Sequence, residues 1–285
     1  MRLMRLPRQS SARAKKMTLK EAITRLSECG IDSADHDARV LFREFAGACD
    51  LDLINRAFSS DSEALADAVS RRCEREPLQY ILGYTDFYRE RYTVTPDCLI
   101  PRPDTEILVD YAVRHLPRGA RFADLCCGSG CVGISTLKNT DSTTAILADI
   151  SDAALDITRK NAADNGVSDR AEIIKRDVLG ECVGKELFAV LSNPPYVTDS
   201  AYASLEPEIY CEPKIAFVGG EDGGDFYRTL TPMYKSRIAR GGFIAYEIGY
   251  DQAQLLSDIA DEHGMTCEII YDFSKNPRVA VLRNP

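Results

Sequence analysis

Asn193-Pro194-Pro195-Tyr196 is the stretch whose residue types could do chemistry. It follows an apolar run, 187–191, short and β-rich enough to be a buried strand. The four residues would then stand at that strand's carboxyl end, where open α/β sheets place their ligands. The prolines fix φ at 194 and 195, keep Asn193 and Pro194 out of the helical region, and have no N–H. What is left is an Asn side chain, bare backbone carbonyls and a tyrosine ring. Such a turn suits a planar group with N–H bonds to donate, an amide or the exocyclic amine of a base: the carbonyls accept and Tyr196 offers a flat face. Taken alone, Pro-Pro-Tyr reads as readily as a stiff turn leaving a core strand.

A second candidate lies at 124–133, Asp-Leu-Cys-Cys-Gly-Ser-Gly-Cys-Val-Gly. Glycines at a strand-to-helix turn let a ligand approach the backbone, and the helix N-terminus beyond offers N–H groups to a carboxylate or phosphate. Gly128, Gly130 and Gly133 make a GxGxxG pattern, a weak signal by itself for a dinucleotide. Asp149, ending the next strand, stands where an acid accepts the ribose hydroxyls of an adenosine. Asp177, ending the third, lies beside the expected adenine position, or is a solvated loop acid. Two cofactors compete here. A nicotinamide dinucleotide needs room for a pyrophosphate at the glycine turn. S-adenosylmethionine presents an amino-acid carboxylate to the helix N-terminus, and Asp124 fits it, because an acid there holds the ligand's ammonium directly or through water. A methyl acceptor would face the sulfonium from the neighbouring strand end, which carries Asn193 to Tyr196.

The elements that must carry these residues follow from periodicity. From Arg121 on, strands are predicted near 120–125, 143–148, 171–175, 187–192, 243–248, 267–272 and 278–283, with helices near 130–139, 152–165, 224–239 and 251–262. This alternation predicts an α/β fold with a doubly wound, mostly parallel sheet, its last two strands forming an antiparallel end through the turn at 274–277. Upstream, 17–76 reads as a small helical domain: Leu19, Ala22, Ile23 and Leu26 keep helical spacing, and Ser60 with Glu63 has the spacing of a capping box. Residues 77–103 read as a linker with a β-hairpin over 87–94. Asp104 then reads as the N-cap of a helix running to His115, opening a ligand-binding domain over 104–285.

Composition limits the classes. The chain has 285 residues, 45% apolar and 28% charged, enough for one large domain or two smaller ones. No apolar segment approaches the roughly 20 residues of a membrane span. A net charge of −9 argues against a duplex-DNA binder that neutralises phosphates. The first 16 residues hold Arg2, Arg5, Arg8, Arg13, Lys15 and Lys16 and no acid, so the remainder carries −15. That head fits an Arg-rich targeting segment or, slightly better, a disordered extension upstream of Met17. The ten cysteines are scattered without a CxxC pair, and His36, His115 and His263 share no ligand pattern, so the chain reads as reduced and metal-free.

Over 17–284 the chain resembles the release-factor glutamine methyltransferases, the PrmC/HemK family. The resemblance is carried by Glu76-Pro77-Leu78-Gln79-Tyr80-Ile81-Leu82-Gly83, LIPRPDTE at 99–106, the glycine turn, Asp149-Ile150-Ser151, SNPPY at 192–196, Cys211-Glu212-Pro213, GGEDGGDFYR at 219–228 and Glu247-Ile248-Gly249. The Asn-Pro-Pro-Tyr motif alone is shared with amino-methylating DNA enzymes; the ordered set is specific. It implies a class I (Rossmann-like) methyltransferase fold, a seven-stranded sheet following a small N-terminal helical domain. It implies S-adenosyl-L-methionine held by Asp124, Cys126, Cys127, Gly128, Ser129, Gly130, Asp149, Asp177, Val178 and Asn193. The implied reaction is N5-methylation of the glutamine in the Gly-Gly-Gln loop of class 1 peptide release factors, bound at Asn193, Pro194, Pro195 and Tyr196, with Asn193, Pro194 and Tyr196 catalytic. The expected protein has no stable nucleic-acid partner and no membrane association. It is expected to be monomeric and cytoplasmic, or in the mitochondrial matrix if the basic head is a targeting segment. The family's turn usually reads Gly-Thr-Gly where this chain has Cys126-Cys127-Gly128, so two backbone contacts there come from cysteines.

Placement is the chemistry such a site can offer, because a carboxamide nitrogen has a delocalised lone pair and no side chain deprotonates it near neutral pH. Asn193's side-chain oxygen and the Pro194 carbonyl would accept its two N–H bonds, holding the nitrogen toward the methyl group. Two other readings stand beside this one: a nucleic-acid amino methyltransferase using the same turn, and a dinucleotide-binding oxidoreductase or non-catalytic adaptor with the same fold.

Overall fold

The computed structural model describes residues 16–54 and 58–284, so all but Lys16 of the basic head lies outside the described residues. The chain divides into two compact units after Leu82.

The first unit pairs two short strands, β1 (Met17–Thr18) and β2 (Ser59–Ser60), and packs five helices. These are α1 (Leu19–Glu28), α2 (Ala34–Ala46), α3 (Asp50–Ile54), α4 (Glu63–Cys73) and α5 (Leu78–Leu82). Leu19, Ala22 and Leu26 are buried as their spacing predicts, against Leu41, Phe42, Leu65 and Val69. The capping box stands at α1 instead of at Ser60: the Thr18 hydroxyl accepts from Glu21 N–H, and the Glu21 carboxylate accepts from Thr18 N–H. Ser60 is held in the ladder with Met17, so α4 begins two residues later and Ser62 caps it, accepting from Leu65 N–H at 3.2 Å. Because Leu78 and Ile81 are buried in this core, the segment expected as a linker over 77–103 divides between the two units.

In the second unit the hairpin comes first, β3 (Tyr84–Phe87) with β4 (Glu90–Thr93), three residues earlier than its aromatic run suggests. Phe87 and Tyr92 are buried edge-to-face. A 3₁₀ turn (Pro103–Thr105) leads into α6 (Glu106–His115). Asp104 is not its N-cap: it pairs with Arg278 at 3.0 Å, and Thr105 takes the cap position with no side-chain capping bond.

There follow β5 (Arg121–Leu125), α7 (Cys131–Lys138), β6 (Thr144–Asp149), α8 (Asp152–Asp164), β7 (Ala171–Lys175), β8 (Leu187–Ser192) and α9 (Asp199–Tyr202). The chain ends with α10 (Asp225–Lys235), β9 (Ile238–Glu247), α11 (Ala253–Glu262), β10 (Thr266–Tyr271) and β11 (Pro277–Arg283). The sheet order is β10-β11-β9-β8-β5-β6-β7, parallel from β9 to β7, with β11 antiparallel to both neighbours. The helix expected to reach 239 stops at Lys235 and β9 starts at Ile238, opposite Leu187. β9 passes so near β8 that a Cβ on Gly242 would lie 2.2 Å from the Phe188 carbonyl oxygen. Leu108, Val132 and Leu155, from α6, α7 and α8, pack on one face with Phe122 and Leu147; Tyr227, Leu230 and Leu256, from α10 and α11, cover the other with Leu125 and Ile244. Strand order reverses between β5 and β8, which makes their carboxyl ends the expected ligand crevice. Among the described residues no helix is long and apolar enough to cross a membrane.

Candidate active site

A cavity of about 380 Å³ opens at the carboxyl ends of β5, β6 and β8, and Cys126, Asp149, Asp177, Val178, Asn193 and Pro195 are in its wall. A smaller one of about 30 Å³ contains Asp124, Cys127 and Ser129, and shares Cys126, Gly128 and Asn193 with the first. The structure thus brings the sequence-predicted residues together, except that Gly130, Pro194 and Tyr196 line neither cavity.

The glycine turn is tightly bonded to itself. Gly128 N–H donates to Asp149 Oδ2 at 2.9 Å, and Asp149 Oδ1 accepts from Ser151 N–H at 2.9 Å. Cys127 has its N–H donating to Ala148 O and its carbonyl accepting from Gly130 N–H at 2.7 Å, which leaves one lone pair of that carbonyl for a ligand. Cys126 adopts φ +58°, a left-handed conformation that costs a non-glycine residue energy. The third glycine of the pattern is a packing residue: a Cβ on Gly133 would lie 2.9 Å from both Asp124 Oδ2 and Leu147 Cγ. Asp124 is buried at the N-terminus of α7, accepting from Gly133 N–H at 2.8 Å. Burial pushes its carboxyl up to about 7, the Gly133 N–H opposing and the charge of Asp149 assisting. Asp177 accepts from Leu179 N–H at 3.0 Å. Asn161, fully buried on α8, donates to Ser129 O and bonds both backbone groups of Thr93, tying the end of the hairpin to the turn.

At the acceptor turn, Asn193 Nδ2 donates to Thr105 Oγ1 at 3.2 Å. The Tyr196 hydroxyl donates to Glu247 Oε1 at 3.3 Å, and its ring packs beside the core. Gln252 Nε2 donates to Tyr196 O at 3.1 Å while its Oε1 accepts from Gly249 N–H, which fixes the turn's backbone to the end of β9. Glu247 itself is buried, and its Oε2 has no hydrogen-bond partner among the described residues. Burial pushes its carboxyl up to about 7, against the Thr105 and Tyr196 hydroxyls, which favour the charged form. Buried Glu212 accepts from Ile100 N–H at 2.9 Å and pairs with Arg102, joining the segment at 99–102 to the loop beginning at Pro213.

Two family models match this chain, PrmC N-terminal domain over 18–83 and Methyltransferase small domain over 103–211. The chain is 33% identical over 270 residues to the release factor glutamine methyltransferase of Caulobacter vibrioides, covering 92% of this chain and 93% of that one. It belongs to the release factor glutamine methyltransferase family. A second member, from Clostridium acetobutylicum, is 34% identical over 80% of this chain and 84% of its own. A methyltransferase structure from Pyrococcus furiosus superposes with a TM-score of 0.51 at 15% identity, over 68% of this chain and 89% of that one, which shows the shared fold.

Membership in this methyltransferase family draws attention to residues that sequence reasoning left without a role. Glu212, Glu247 and Thr105 lie within the quoted motifs; the first two are acids beside apolar or proline residues, while Thr105 stands between two acids with no such contrast. Gln252 and Asn161 had no such signal, since each reads as an ordinary polar helix position until its partners are seen.

Proposed function

We propose that this chain methylates the side-chain nitrogen of the glutamine in the Gly-Gly-Gln loop of class 1 peptide release factors, with S-adenosyl-L-methionine as methyl donor. The observation that carries the reading is the position of Asn193, which lines both cavities at the point where they meet. The larger one lies within the range of small-molecule sites, roughly 300–1,000 Å³. It combines carboxylates at 149 and 177 for hydroxyl and amino groups with the apolar wall of Val178 and Leu179 for a flat ring. Asp124 suits a ligand ammonium, which would hold its carboxyl in the charged form. Bound there, S-adenosylmethionine supplies a methyl group on positively charged sulfur.

The chain's own residues work by placement. Asn193 Oδ1 accepts one amide N–H of the glutamine and the Pro194 carbonyl the other, which aims the nitrogen at the donor and stabilises the positive charge it acquires. The extra proton then leaves to solvent. Tyr196 supports the turn through Glu247.

The test is transfer of labelled methyl from S-adenosylmethionine to a purified class 1 release factor, with an oligonucleotide panel in parallel. Label on the peptide containing Gly-Gly-Gln is the expected result. Label on the oligonucleotides alone would overturn the reading in favour of a nucleic-acid amino methyltransferase.

A further inference from the structure

The two ends of a carboxamide have nearly the same shape, so only hydrogen bonds decide which end of Asn193 faces the acceptor. If its NH₂ faced the glutamine amide, two sets of donors would oppose each other. The orientation is therefore part of the catalytic apparatus, and something must set it.

Three observations bear on how. Thr105 takes the N-cap position of α6, yet its hydroxyl makes no capping bond; it receives Asn193 Nδ2–H at 3.2 Å instead. Thr105 is 2% exposed, and a buried hydroxyl is nearly always hydrogen-bonded. Its hydroxyl acts on the carboxyl of Glu247, 3% exposed, which Tyr196 reaches at Oε1 while Oε2 has no hydrogen-bond partner among the described residues. In the charged form, which the Thr105 and Tyr196 hydroxyls favour, a carboxylate can only accept.

We infer that Thr105 and Glu247 are positioning residues that lock the Asn193 carboxamide with its oxygen toward the acceptor. The Thr105 hydroxyl donates to Glu247; its oxygen is then left to accept, and only the NH₂ end of Asn193 satisfies it. The carbonyl end is left for the substrate, so the site demands an acceptor that donates N–H. The inference rests on the amide-binding role of Asn193 proposed above.

The test is single-turnover methylation of release factor at saturating S-adenosylmethionine, together with cofactor affinity. Thr105→Val keeps the shape and removes the hydroxyl, and the rate should fall roughly ten- to a hundredfold, the loss expected for one hydrogen bond in a charged network. Cofactor affinity should change less than about twofold, and Thr105→Ser should restore most of the rate. Glu247→Gln can donate to Thr105 and permit the reversed amide, so it should lose rate comparably. The deciding arm is the Asn193→Ala background, where Thr105→Val should have almost no further effect, because both act through one carboxamide. A full additional loss there would make Thr105 a general structural residue and overturn the inference, as would a Thr105→Val rate near that of the parent. Failure of the parent itself to methylate release factor would instead overturn the functional reading, and the inference with it.

Discussion

Gly219 stands against the acceptor turn so closely that a Cβ on it would lie 2.2 Å from the Pro195 carbonyl oxygen and 2.9 Å from Tyr196 Cα. Loop and turn are in backbone contact there: Val197 N–H donates to Phe217 O, and Gly219 N–H to Val197 O at 2.9 Å. Gly219→Ala must push one backbone off the other, since neither is the flexible end of a side chain. It should destabilise the protein by about 1–3 kcal/mol and reduce methyl transfer more than cofactor affinity. Thermal unfolding and single-turnover kinetics read both; parent-like values in the two would show that the contact is slack.

Asn193→Ala removes the side-chain acceptor and keeps the route of the backbone into Pro194. Fold and cofactor affinity should survive. By comparison with removing one preorganised transition-state hydrogen bond, the transfer rate at saturating cofactor should drop on the order of 10²–10³-fold. Transfer near the parent rate would return the turn to a merely structural role.

Cys126 sits at φ +58°, a left-handed conformation that favours glycine. A left-handed conformation costs an ordinary residue roughly 1–2 kcal/mol, while glycine gives back about 0.5–1 kcal/mol of that through its freer unfolded chain. Cys126→Gly should therefore range from parent-like to about 1.5 kcal/mol more stable, less the packing that the Cys126 side chain makes against the core. Cys126→Val, similar in polarity and size, should cost more, about 1–3 kcal/mol, because a β-branched residue resists positive φ. Denaturant midpoints of the two variants compare them directly, and equal stability would show that the backbone at 126 relaxes freely.

Asp124 has a folded-state carboxyl raised to about 7 by burial, against an ordinary value of about 3.9. A raised acid means that the folded protein holds the proton longer than the unfolded chain. Its favourable contribution is complete below about pH 4 and is lost as pH rises through about 7. Asp124→Asn has no such proton, so its stability relative to the parent should improve steadily across that window in the absence of cofactor. The thermal shift caused by S-adenosylmethionine should move oppositely, growing in the parent as Asp124 ionises and staying flat in the variant. A pH-independent stability difference between the two would contradict the assignment.

Much of this molecule is written in short-range pattern. Apolar runs and helical spacing place β5 to β8 and the helices between them within a residue or two of where they stand, because those periods are properties of neighbouring residues. Asp124, Asp149 and Asn193 were legible for a related reason: a residue ending a predicted strand must lie at the ligand-bearing edge of a parallel sheet. Where the choice depended on a distant partner, local pattern failed. Asp104 and Thr105 are both good helix caps by type, and only Arg278 on β11 draws Asp104 away. Ser60 has capping spacing, but pairing with Met17 takes it into a strand. The insertion of β11 between β9 and β10 and the bond from Asn193 to Thr105, 88 residues apart, belong to the same class. Strand order and side-chain pairing are set by which surfaces meet when the sheet closes over its two cores, and no periodicity within one segment carries that information.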